Sequence, residues 1–206
     1  WYLDEKLAEV SEKYSANLNG KIFLRAGDYY VKSAANFTAE LQKWNNLVLE
    51  GEAGVKIFVS EIVLENDNNS LIINNIDFPT TTKLTLNGNC NFTLVNSTLP
   101  LAVLTLKGKD SFLTSSTSFS EVHIEAVKDF DKPTMFRDCI VGTMTVSRNK
   151  TILTANTIED LTITGENVLV GNCYIRTLHS KTAEIYLEGS VISQYDTSSI
   201  AEENLN

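Results

Sequence analysis

Positive charge is in short supply in this chain. Its 206 residues hold 17 lysines and arginines against 26 acids, a formal net charge of −9. A broad nucleic-acid surface needs clustered cations to release counterions, so that class is excluded. No apolar run reaches the roughly 18 residues that a membrane-spanning helix needs. Proline (three), methionine (two) and histidine (two) are scarce. The cysteines Cys90, Cys139 and Cys173 are odd in number and lack metal-ligand spacing. They read as small buried hydrophobes rather than as a disulfide framework or a zinc site. No signal-like segment follows Trp1, which leaves a removed leader or domain as an expectation. Sequons at Asn36, Asn68, Asn91, Asn96 and Asn149 arise easily in a chain rich in Asn, Ser and Thr and do not establish secretion.

What is present is a repeat. With 43% hydrophobic and 21% charged residues the chain has a globular composition. An apolar-x-apolar triplet begins at Leu47, Ile62, Leu84, Leu104, Val122, Met144 and Leu161, with a degenerate copy from Leu178. The copies are 15 to 22 residues apart, too short for a helix-pair repeat and suited to one turn of a β-solenoid. A second motif follows each copy, as in "LIINNIDF", "FTLVNSTL" and "VLVGNCYI". Its bend position reads Asn75, Asn96, Ser116, Asp138, Asn156, Asn172 and Gly189. Most of these tolerate a left-handed backbone or cap their own turn. The next position reads Ile76, Ser97, Thr117, Cys139, Thr157, Cys173 and Ser190, and a large apolar residue follows. Each coil therefore reads strand, loop, strand, tight bend, strand. The segment "VKIFVSE" has no turn residue at Val59, so the first coil is expected to be irregular.

The expectation is an all-β, single-stranded parallel β-helix of about seven to eight coils. An amphipathic capping helix over residues 1–15 carries Leu3, Leu7, Val10 and Tyr14 on one stripe. Coils are placed at 20–193 within one domain spanning 1–193, and 194–206 is read as a polar tail or a link to a missing segment. After the helix come "GKIFLRAGDYYV" and "NNLVLEGEAG". This opening resembles that of the pectin-lyase-like right-handed β-helix superfamily, through Gly20, Ala26, Gly27 and Tyr29, then Asn46, Leu49, Gly51 and Gly54. Arg25 stands where the family's usual proline would be. The resemblance implies a right-handed coil and a groove that holds polysaccharide. It does not fix an activity, because the superfamily includes lyases, hydrolases, phage tail spikes and non-catalytic surface proteins.

The outward middle position of the first strands reads Val48, Val63, Thr85, Thr105, His123, Thr145, Thr162 and His179. One step earlier it reads Glu61, Lys83, Val103, Glu121, Thr143, Asp160 and Thr177. Lyase chemistry would need a calcium-binding carboxylate cluster and a basic residue in the family's arginine motif. Arg137 and Arg148 do not match that motif. The Asn-x-Asp and Asp-Asp pairs of polygalacturonase-like hydrolysis are absent as well. Candidate catalytic groups are Glu121, His123 and Asp160. Glu121 and Asp160 lie two coils apart, about 9–10 Å by strand spacing, near the upper end for an inverting pair. A solvated outer face is the competing reading. Glu125, Thr145, Thr162, His179 and Phe130 are candidate ligand contacts, while Asp110, Asp129 and Asp131 could hold calcium. The threonines also suggest an ice-binding array, but His123 interrupts them and the coil lengths vary; β-propensity on an exposed strand explains them. The expected function is a secreted or cell-surface β-helix that binds polysaccharide or acts as a scaffold without catalysis. A polysaccharide lyase or glycoside hydrolase, and a virion spike or fibre, are the alternatives. No cofactor other than possible calcium is expected, and the state is monomer or homotrimer.

Overall fold

The computed structural model describes residues 2–16, 18–65, 70–80, 83–86, 91–104, 112–126, 133–180 and 184–196. It is a parallel β-solenoid of about six turns. The apolar stripe produces helix α1, Leu3–Lys13, which buries Leu3 and Leu7 and has Asp4 and Glu5 in its first turn and Lys13 in its last. That charge order suits the helix dipole. Tyr14, read as the end of the stripe, lies past the helix and is exposed. The Asp4 side chain turns inward, and its carboxylate accepts from the backbone N–H groups of Lys32 (3.0 Å) and Ser33 (3.1 Å).

Ser33 opens a second helix, α2, Ala34–Lys43, by accepting from the Asn36 N–H at 3.2 Å. The sequence reading missed this helix. Its signals were a serine N-cap and Phe37, Leu41 and Trp44 at helical spacing. The Trp44 indole donates to Ser11 Oγ at 3.2 Å, which ties α2 to α1. Two helices, not one, close this end of the core.

The strands stack in parallel ladders. A five-stranded sheet holds Asn19–Leu24, Asn46–Gly51, Ser70–Asn74, Asn91–Val95 and Phe112–Ser115. A four-stranded sheet continues that wall with Thr134–Arg137, Thr151–Thr154, Val168–Gly171 and Ile185–Glu188. The eight-stranded sheet runs from Glu61–Leu64 to Val191–Asp196. The last strand thus enters the segment read as a tail. The "LVL" at Leu47 does not begin the outer-sheet column, because Leu47 pairs with Gly20 and Leu71 in the five-stranded sheet. The first coil is irregular: Val55–Phe58 pairs with Gly27–Tyr30 in a two-stranded sheet and meets the next coil only through an isolated bridge at Asp77.

Burial alternates along the strands. Phe136, Leu153 and Val170 form one fully buried ladder; Val122, Met144, Leu161 and Leu178 form another. Each coil covers the apolar floor of the next, and hydrophobic burial of this kind stabilises by about 25 cal/mol per Å².

The bend column has positive φ at Asn75 (58°), Asn96 (48°), Ser116 (49°), Asp138 (54°), Asn172 (52°) and Gly189 (61°). One rung differs from the sequence reading. The left-handed residue of the fifth rung is Ala155 (φ 54°), not Asn156, so the motif begins at Thr151. Asn156 is the inward residue after the bend and Thr157 points out, which agrees with the pairing Ile140–Thr157–Tyr174.

Candidate functional site

The column after the bend is an internal polar ladder. Ile76 N–H donates to Ser97 Oγ (3.3 Å), Cys139 N–H to Asn156 Oδ1 (3.0 Å), Asn156 N–H to Cys173 Sγ (3.4 Å) and Cys173 N–H to Ser190 Oγ (3.0 Å). Asn156 Nδ2 also donates to Phe136 O (2.9 Å), and Ser190 Oγ to Val170 O (2.9 Å). Each of these side chains therefore bridges to a backbone group of the preceding coil. Cys139 and Cys173 are buried thiols. Burial pushes the Cys173 thiol up, against the opposing pull of the Asn156 hydrogen bonds. This suppresses the thiolate of Cys173.

Arg148 is buried in the opposite turn, and burial lowers its guanidinium to about 10. It stays protonated at neutral pH. Gly165 lies over it: a Cβ there would sit 2.5 Å from Arg148 O, so the turn requires glycine.

The outer face of the eight-stranded sheet carries two rows of positions in register. One row in register is Glu61, Lys83, Leu101, Glu121, Thr143, Asp160, Thr177 and Gln194. The second is Val63, Thr85, Val103, His123, Thr145, Thr162, His179 and Asp196. Two corrections follow. Val103 takes the place assigned to Thr105 and Leu101 the place assigned to Val103, because the triplet at Leu104 was set two residues late; period-2 alternation cannot detect a two-residue shift. Val48 belongs to the other wall. Thr105 itself, with Asp110, Asp129, Phe130 and Asp131, lies outside the described residues.

His123, Thr145, Thr162 and His179 are half-buried between fully buried neighbours. His123 Nε2 meets Glu121 Oε1 at 2.5 Å on the same strand. His179 Nδ1 meets Asp196 Oδ2 at 3.1 Å across the last rung. Glu121 and Asp160 stand two rungs apart with Thr143 between them. Glu125 is exposed just past its strand. The structure brings Glu121 and His123 into contact and leaves Asp160 apart from both in register.

An open groove of about 620 Å³ is lined by Thr177, His179, Gln194, Tyr195 and Asp196. Sequence reasoning gave only His179 and Thr177 of these. The signal for the others was "VISQYD", offset 17 residues from "YIRTLH". Among the described residues no three His, Cys, Asp or Glu side chains are grouped to hold a metal, and no helix is long and apolar enough to cross a membrane.

Fold and face together define a parallel β-helix with a polar outer sheet. No protein-family model, curated protein or solved structure matches the chain.

Proposed function

We propose that this chain is a pectin-lyase-like β-helix that binds a polysaccharide along the outer face of its eight-stranded sheet, outside the cell or at its surface, without cleaving it. The observation that supports this reading is the pair of rows in register, which repeats hydroxyl, imidazole, amide and carboxylate groups at the roughly 4.8 Å strand spacing. A repeating glycan presents hydroxyls periodically, and these groups donate to and accept from hydroxyls. Calcium held by Asp110, Asp129 and Asp131 is part of the same proposal.

The test is a panel of neutral and acidic glycans, with calcium and with a chelator. Binding without new reducing ends, and without the ultraviolet absorbance of an unsaturated uronide, supports the reading. Either product signal replaces it with a hydrolase or lyase. The hydrolase reading draws on the two-rung separation of Glu121 and Asp160, and it requires loss of product in both Glu121→Gln and Asp160→Asn. A stable trimer in light scattering favours the spike.

A further inference from the structure

The irregular first coil carries an arrangement that the rows above do not include. Pairing of Gly27–Tyr30 with Val55–Phe58 sets Asp28 beside Lys56 and Tyr30 beside Phe58. The backbone of Lys56 pairs in turn with that of Asp77 on the next coil. The Tyr30 and Phe58 rings stack with centroids 4.9 Å apart and planes 14° apart. Tyr30 is nevertheless 53% exposed. Phe58 covers one face of its ring, and Tyr30 also lines a surface depression.

The loop before this strand is held in place. Tyr29 Oη donates to Arg25 O at 2.8 Å, and Ala26 N–H donates to the Glu52 carboxylate at 2.9 Å. Leu3, Ala26, Gly27, Asp28, Tyr29 and Tyr30 line a depression of about 340 Å³. That is near the lower bound for small-molecule sites and suits one or two sugar rings. Gly27 has open space where a Cβ would stand, so a ligand can approach the backbone there.

We propose that this depression is a subsite for a neutral polysaccharide, with Tyr30 stacking on a sugar ring and Asp28 accepting from its hydroxyls. The proposal rests on the glycan reading above and adds the class of glycan. An aromatic face beside an acceptor-only carboxylate matches a pyranose, which has an apolar C–H face and hydroxyl edges. Charge selects against polyuronates: Asp28 lines the depression itself, whereas the cations Arg25, Lys32 and Lys56 stand outside its lining, on a chain of net charge −9.

The experiment is calorimetric titration with neutral oligosaccharides of the cellulose, xylan and chitin types, and with oligogalacturonate as the charged counterpart. A neutral oligosaccharide should bind. Tyr30→Leu, which keeps apolar bulk but loses the flat ring, should weaken it about tenfold, whereas Tyr30→Phe should stay within about twofold. Far-UV circular dichroism checks that both variants fold. Equal affinity in wild type and Tyr30→Leu, with weakening in His179→Ala instead, overturns the subsite and leaves the glycan reading standing. Preference for the uronate overturns the neutral class. Absence of binding to every neutral and charged oligosaccharide overturns the glycan reading itself, and the subsite with it.

Discussion

The inner ladder and the outer rows use similar residues a few positions apart on the same coils, yet their roles are opposite. Asn156 and Thr162 are both polar, and both stand in columns that stack coil on coil. Asn156 is 2% exposed and bonded to Cys139, Phe136 and Cys173. Thr162 is half-buried on the outer face, between His179 and Thr145. A polar group in the interior answers to specific backbone atoms, and leaving those atoms unmatched is costly because water cannot replace it. A polar group outside answers to solvent or a ligand. Residue type alone therefore does not mark function in a solenoid; the side of the wall does.

Mutations on the two sides can test this contrast. Asn156→Ala should have the largest effect, a loss of about 2–4 kcal/mol in urea unfolding, because it strands buried groups of Cys139 and Phe136. A loss below about 0.5 kcal/mol would end the claim that the ladder matters. Cys173→Ala removes the acceptor for Asn156 N–H and a little volume, and should cost about 1 kcal/mol by the same measurement.

Ala155→Asn should raise stability by up to about 1 kcal/mol, since asparagine tolerates the left-handed backbone better than alanine. A decrease in thermal midpoint would count against this assignment of the bend. Raising pH past the ordinary thiol range should destabilise the fold through Cys173. Its folded-state value is raised, so its contribution is present below the unfolded value and is lost as pH climbs through the folded one. Cys173→Ala should flatten that alkaline limb. On the outer face, Thr162→Ala should shift stability by less than about 0.5 kcal/mol, and any effect should appear in glycan titration instead.

Much of this was legible before the structure, and the exceptions have physical causes. The bend column could be read because a left-handed backbone restricts residue choice: six of the seven predicted positions hold the bend. The fifth, Asn156, failed because asparagine, the usual marker of such bends, stands one place later in "TANT" as the interior bridge. The row register failed at Leu104 because a shift of two residues leaves the alternation unchanged. Helix α2 was missed because its capping serine and apolar triplet lie inside a stretch otherwise read as strands and turns. Asp196 was missed because a polar ending looks like a tail until its strand is seen to pair beside His179.

The sequence by itself determined that the chain coils: recurring apolar pairs and bend residues have one low-energy solution, in which each coil buries its neighbour. It also determined the inward and outward faces, since alternation is a local property of extended backbone. Tertiary structure alone decided which residues of different coils stand side by side. That choice depends on loops of unequal length and on backbone groups that must find partners across coils. It is why Asn156 belongs to the interior, His179 meets Asp196, and Tyr30 stacks on Phe58 from 28 residues away.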